Sequence, residues 1–290
     1  MKTPFYPTPE PYNFGGLENQ SYAKAKVAVF PIPFEATTSY MPGTKFGPQA
    51  IIEASRHMEL YDIELKKDIS KIGMYTLPEL LSSKSSPEAA VREIEKTVRQ
   101  LLNDKKFVLS LGGEHSITSG IVAAFKKKHR DLSVLQIDAH SDLRDEYEGT
   151  KFNHACVMRR VWDLGVSVTA VGIRSQEEAE VDYIKEKKIK TIFYAPDLPI
   201  KKIISSLSKN IYLTFDLDGL DPSIMPSTGT PEPGGLGWYE TLNLIKQVAK
   251  AKRIVGADIV ELSPLPGIVF PDFLAAKLAY KIIGYSLLQK

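Results

Sequence analysis

A three-layer α/β/α domain with a mainly parallel central sheet is the fold class this sequence predicts, and three observations predict it. Short apolar runs rich in β-branched residues and leucine alternate with helix-length amphipathic segments from one end of the chain to the other. The runs are apolar at consecutive positions, as strands covered on both faces require. No internal repeat, low-complexity linker or composition break divides the 290 residues, so one domain over 1–290 is expected, with 1–25 as an irregular arm.

The arm carries Pro4, Pro7, Pro9 and Pro11 among Phe5, Tyr6, Tyr12 and Phe14, whose rings are expected to pack on the domain or on a neighbouring subunit. A strand over 26–34 runs into turn chemistry at 40–48, where Pro48 opens a helix to about residue 61. Ser86 as N-cap and Pro87 at the first position start an amphipathic helix to about residue 105. A buried strand over 107–111 empties into Gly112-Gly-Glu-His-Ser116, and the helix after it ends in Lys126, Lys127 and Lys128, charges that suit a helix C-terminus. The strand over 132–137 finishes in Asp138-Ala139-His140-Ser141-Asp142, and a charged loop leads to a helix near His154. Further strands are expected at 168–174, 191–194, 210–215 and 253–260, and helices at 176–188, 199–207, 238–251 and 272–288.

Composition narrows the function. Hydrophobic residues make up 43% and charged residues 25%, ordinary values for a water-soluble domain. The net charge of +2 is spread along the chain, which gives no electrostatic case for nucleic acid or a membrane surface. One cysteine, Cys156, excludes an internal disulfide framework and suits a reducing compartment. The first residues lack the apolar core of a signal peptide, and no uncharged run is long enough to cross a bilayer. These features point to the cytoplasm.

In parallel α/β sheets, ligands bind at the carboxyl ends of strands. Four strands here end in polar residues: His115, the Asp138/His140/Asp142 set, the Asp216/Asp218 pair, and Glu261. Read as strand continuations, the members of each spacing-two set project from one face. Unpaired charges on a buried strand are costly, so these groups call for partners. Two histidines and four carboxylates exceed a single structural zinc site. They match a pair of divalent ions sharing carboxylates, with manganese favoured by the oxygen-rich set. Taken singly, Gly-Gly-Glu-His also reads as a bare turn and Asp-Leu-Asp-Gly as a calcium-like loop.

Several motifs occur in one order along nearly the full length: Ser39-Tyr-Met-Pro-Gly-Thr-Lys-Phe-Gly-Pro-Gln-Ala-Ile51, Gly-Gly-Glu-His-Ser, Asp-Ala-His-Ser-Asp, Asn-His-Ala, Thr-Phe-Asp-Leu-Asp-Gly-Leu-Asp-Pro, Gly229-Thr-Pro-Glu-Pro-Gly-Gly235 and Asp258-Ile-Val-Glu261. Together they resemble the ureohydrolase family of arginases and agmatinases, and the agmatinase branch most. The resemblance implies an arginase-like fold and two Mn2+ ions. One ion would be held by His115 and Asp142 and the other by His140 and Asp218, with Asp138 and Asp216 bridging. It implies hydrolysis of a guanidino carbon to urea and an amine, with the metals lowering the pKa of a shared water. Asp142 would accept a proton from that water, His154 would protonate the departing amine, and Glu261 would grip the guanidinium.

Three departures bear on these roles. Glu114 stands where many relatives have Asp; it flanks a metal histidine without being a ligand position. Ala155 follows His154 where arginases have Gly. The loop Leu143-Arg-Asp-Glu-Tyr-Glu148 lacks the asparagine with which arginases bind a carboxylate tail. Its acids favour a small cationic guanidino substrate, with Asp145, Glu146 and Asn153 as expected tail contacts. Agmatine, cleaved to putrescine, is the first choice, and N1-aminopropylagmatine, giving spermidine, the alternative; both serve polyamine biosynthesis. Arginine, guanidinobutyrate and formiminoglutamate remain open, and Arg144 would suit an acidic tail. A zinc deacetylase needs fewer ligands, and a non-catalytic regulatory subunit would be signalled by loss of His154 or Glu261, both present. The family resemblance also implies a homo-oligomer, a trimer or hexamer.

Overall fold

The computed structural model describes residues 10–288, so Phe5, Tyr6 and the first prolines of the arm lie outside the described residues. Eight strands form one sheet: β1 (Val27–Ile32), β4 (Met74–Thr76), β5 (Phe107–Gly112), β6 (Leu132–Ile137), β7 (Ser167–Ile173), β8 (Ile192–Tyr194), β9 (Asn210–Asp216) and β10 (Arg253–Val260). Their order is β4-β1-β5-β10-β9-β6-β7-β8, and every pairing is parallel. The short strands β2 (Tyr61–Asp62) and β3 (Lys67–Asp68) form a separate antiparallel hairpin.

Helices cover both faces, giving the three layers. The helices α1 (Gly47–Ser55), α6 (Ile200–Ser206), α7 (Trp238–Ala251) and α8 (Phe270–Leu288) pack on one face. On the other lie α2 (Pro87–Asn103), α3 (Ile117–Lys128), α4 (Val157–Asp163) and α5 (Glu178–Glu186). In α2, Ser86 Oγ accepts from the Ala89 N–H and Pro87 occupies the first turn, as its sequence requires. The helix buries Ala90, Ile94, Val98 and Leu101 as one stripe. Within the arm, Phe14 is fully buried in the core beside α1, and its N–H donates to Thr76 Oγ1. Among the described residues, no helix is long and apolar enough to cross a membrane.

Local structure departs from the sequence pattern at three places. The helix opened by Pro48 stops at Ser55 instead of continuing to residue 61. Asp62 and Glu64 leave helical register to meet the buried Lys281 of α8 at 2.9 and 2.8 Å, so a tertiary ion-pair cluster overrides the local pattern. The edge strand β4 and the hairpin are too short to give a periodic signal. The third departure concerns the functional end of the sheet: β6 ends at Ile137 and β9 at Asp216, so Asp138–Asp142 and Asp218 are not strand residues. Alternation along a pleat does not bring them together.

The four strands with polar ends, β5, β10, β9 and β6, are adjacent in the middle of the sheet. Consecutive β5 and β6 are separated by the two last strands, so motifs far apart in sequence meet at one edge. Gly113, just past β5, leaves no room for a side chain: a Cβ there would lie 2.0 Å from the Phe34 carbonyl oxygen. Gly113→Ala is expected to destabilise the fold by about 1–3 kcal/mol, the usual cost of forcing an atom into packed surroundings. A urea-unfolding midpoint equal to that of the parent would contradict this reading.

Candidate metal centre and active site

The acids at the strand ends shape the backbone that carries them. Asp138, fully buried, accepts the His140 N–H at 2.6 Å through Oδ1 and Gln136 Nε2 at 2.8 Å through Oδ2. Asp216 Oδ1 accepts the Asp218 N–H at 2.9 Å, and Asp218 Oδ1 accepts the Ala139 N–H at 3.0 Å. Asp138 and Asp216 thus each cap a turn with one oxygen, a habit of aspartate at loop starts, while Asp218 ties the turn after β9 to the one after β6. These turns, and not the pleat, converge the side chains.

Two groups of potential ligands result: His115, Asp138 and Asp142, and Asp138, His140 and Asp218. Within each, the donor atoms lie within 4.8 Å of one another. His115 Nδ1 lies 3.2 Å from Asp138 Oδ2, 3.1 Å from Asp142 Oδ2 and 3.3 Å from Asp216 Oδ2. His140 Nδ1 lies 2.9 Å from Asp218 Oδ2 and 3.8 Å from Asp138 Oδ1. Asp138 therefore presents one oxygen to each histidine. Asp216 stands on the His115 side.

His115 Nδ1 is a buried nitrogen without a hydrogen-bond partner, and its ring explains why. Thr214 commits its hydroxyl hydrogen to Asp258 Oδ1 at 2.6 Å, so it accepts from His115 Nε2–H at 2.8 Å. Tyr212 and Thr118 also donate to the fully buried Asp258, at 2.7 and 2.8 Å. A neutral His115 held this way turns a bare lone pair toward three carboxylate oxygens. Only a shared cation, a proton or a metal ion, reconciles that geometry. Outer carboxylates that fix a histidine through its second nitrogen are a general feature of metal sites.

The electrostatics say the same. Burial, with the charges of Asp142 and Asp218, pushes the Asp138 carboxyl up to about 7. Burial and Asp218 carry Asp216 well above the carboxylate range. Burial opposes a charged His140, but Asp218 overrides it and lifts the imidazole to about 11. Burial likewise opposes a charged Asp218, yet His140 holds it at about 2. Protons are thus retained where carboxylates crowd, and divalent cations are the natural replacement. The donor set fits two such ions.

Asp142 has a left-handed backbone, φ 53°, at a cost of about 1 kcal/mol for a non-glycine residue. Its carbonyl accepts the Met158 and Arg159 N–H groups that open α4. On either side of it, Glu180 Oε1 accepts Ser141 Oγ at 2.8 Å and the Leu143 N–H at 2.7 Å. Glu261 is also left-handed, φ 66°, and its Oε1 accepts the His115 N–H at 2.6 Å. Burial raises the Glu261 carboxyl well above its usual range. A cavity of about 320 Å³ opens above this edge, and His115, His140, Asp142, His154, Asp216, Asp218 and Glu261 all line it.

The expected tail contacts do not. Asp145 is half exposed and pairs with Arg160 at 2.8 Å and Lys151 at 3.4 Å, while Glu146 is exposed. Asn153 is buried and caps the turn that begins at His154, its Oδ1 accepting the Ala155 N–H at 2.9 Å. The cavity wall near this loop comes instead from Arg144, stacked over Tyr147 at 4.6 Å, and from Gln176 and Glu177. One Glu177 oxygen caps α5 by accepting the Ala179 N–H at 3.1 Å. Glu177, Glu180, Thr214 and Asp258 join the site without being singled out by the sequence. The only signals were the acidic start of a helix for the first pair and a lone acid inside a buried strand for Asp258.

The pH dependence of the metal-free protein follows from these shifts. An Asp138 carboxyl raised to about 7 binds its proton more tightly folded than unfolded, so stability falls as pH rises from its ordinary value of 3.8 through 7. His140, raised from 6.5 to about 11, gives stability that is full below 6.5 and is lost as pH rises toward 11. The melting temperature of chelator-treated protein should therefore drop between about pH 6 and pH 9, and the gain on adding Mn2+ should widen over that range. A gain that shrinks with rising pH would argue against the cluster as the metal site.

Comparison with known proteins agrees with the geometry. An N(1)-aminopropylagmatine ureohydrolase of Synechocystis is 45% identical over 91% of this chain and 90% of its own. An agmatinase of Pyrococcus horikoshii is 36% identical over 90% and 92%. The crystal structure of an agmatine ureohydrolase of Thermoplasma volcanium superposes with a TM-score of 0.86 at 35% identity, covering 95% of this chain and 94% of that one. The arginase family model matches residues 25–284, and the chain belongs to the arginase family.

Proposed function

We propose that this chain is a binuclear manganese ureohydrolase that cleaves an amine-tailed guanidine in polyamine biosynthesis. The observation that carries the reading is the paired set His115/Asp138/Asp142 and Asp138/His140/Asp218, in which every member but the buried Asp138 lines one cavity. Manganese is favoured by the predominance of carboxylate oxygens. The substrate we favour is N1-aminopropylagmatine, the compound named for the Synechocystis relative, with agmatine second. A homo-oligomer in the cytoplasm belongs to the same reading.

The reaction adds water to the guanidino carbon, breaks its bond to the alkyl nitrogen, and yields urea and an amine. His115, Asp138, His140, Asp142, Asp216 and Asp218 would hold the two ions, which would supply an activated water. The residues of the chain supply the rest. Glu261 lines the cavity beside the His115 N–H contact made by its Oε1, and a carboxylate there suits the paired N–H edge of a guanidinium. Asp142, held by Glu180 on both sides, has an oxygen at the cavity floor to take a proton from the water. His154, at the cavity wall, is suited to give a proton to the departing amine. Glu177 offers its uncommitted oxygen to a cationic tail. Arg144, on the same wall, is the observation favouring a second reading with an acidic tail, such as guanidinobutyrate.

Urea release from manganese-loaded protein with aminopropylagmatine, agmatine, arginine and guanidinobutyrate tests this choice. Turnover of the two amine-tailed compounds is expected, and His154→Gln should cut kcat by about 10²–10⁴-fold. Preference for guanidinobutyrate would transfer the tail contact from Glu177 to Arg144.

A further inference from the structure

The most heavily bonded carboxylate near the site belongs to a residue with no place in the metal set. Glu114 is fully buried in the turn between β5 and α3. Its Oε2 accepts the Ala36 and Thr37 N–H groups, both at 2.6 Å. Its Oε1 accepts Thr37 Oγ1 at 2.7 Å and Ser116 Oγ at 2.5 Å. Two backbone N–H groups and two hydroxyls thus converge on Glu114 as donors.

That assignment fixes the hydrogens around it. A threonine hydroxyl has one hydrogen, and Thr37 gives it to Glu114. Thr37 Oγ1 can then only accept from its other neighbours. One is the His154 N–H at 3.1 Å, and the other is His154 Nδ1 at 3.3 Å. A hydrogen bond at the Nδ1 contact therefore requires the hydrogen to sit on Nδ1. The remaining ring nitrogen, Nε2, is left as a lone pair with Ser39 Oγ at 3.4 Å beside the cavity.

We propose that Glu114 and Thr37 are positioning residues that lock His154 in its Nδ1–H tautomer, so that protons enter and leave the ring at Nε2 alone. An unrestrained neutral imidazole carries its hydrogen on either nitrogen, and which one is protonated follows the bond made by the other. The lock joins three segments, the loop after β1, the turn after β5 and the turn that begins at His154, so it also holds the ring at the cavity wall. Glu114 differs from aspartate by one methylene, the length by which its carboxylate reaches toward Thr37 from a turn otherwise devoted to His115. The catalytic value of the lock rests on His154 being the proton carrier; its existence does not.

The test is nitrogen-15 NMR of protein labelled at its five histidines, with zinc in place of paramagnetic manganese, and His154→Gln used to assign the signal. The native protein is expected to show His154 protonated at Nδ1, and Thr37→Val to shift it toward the Nε2–H form. Thr37→Ser, which keeps the hydroxyl, should restore the native tautomer. With manganese, Thr37→Val should lower kcat at least about 10-fold while KM stays within about 2-fold. A native His154 protonated at Nε2 overturns the proposal even if no variant folds, and so does a tautomer unmoved in Thr37→Val. A tautomer shift without loss of kcat supports the lock and rejects His154 as the proton carrier.

Discussion

Carboxylates crowded where water cannot screen them are the constraint on which this structure depends. Asp138, Asp216 and Asp218 are buried at the ends of adjacent strands, and Asp142 and Glu261 join them from loops. Such a cluster is tolerable only with compensating positive charge, because burying an unpaired ion costs far more than a fold's net stability can absorb. The sheet topology creates the problem by threading β10 and β9 between β5 and β6. It also makes the solution possible, since no single loop could gather these groups.

The precision of the site comes from hydrogen bonds made by the same acids. Asp138, Asp216 and Asp218 each spend one oxygen on a backbone N–H, and Glu261 does so on His115. Behind them stand three further buried carboxylates. Asp258 orients His115 through Thr214, Glu180 braces Asp142, and Glu114 gathers the Thr37 loop around His154. The left-handed strain at Asp142 and Glu261 is held in place by these contacts and by the opening turn of α4.

Much of this was legible before the structure. Apolar runs gave the six long strands, and polar residues at four strand ends marked one edge of the sheet. What the sequence hid has physical causes. Strand order depends on long-range pairing, so the adjacency of β5, β10, β9 and β6 left no local trace. The spacing-two pattern groups residues that the structure also brings together, but by turns and not by the pleat, because Asp138–Asp142 lie beyond the strand. Asp145 read as a free acid, whereas Arg160, fifteen positions on, folds back from α4 to pair with it. Glu114 read as a bystander because its partners, at Ala36 and Thr37, come from a distant segment.

The most direct test of the central claim is anomalous diffraction at the manganese edge from crystals grown with Mn2+. The account predicts two peaks per chain, one against His115 and Asp142 and the other against His140 and Asp218, with Asp138 touching both. A single peak, or ions bound away from these residues, would contradict it.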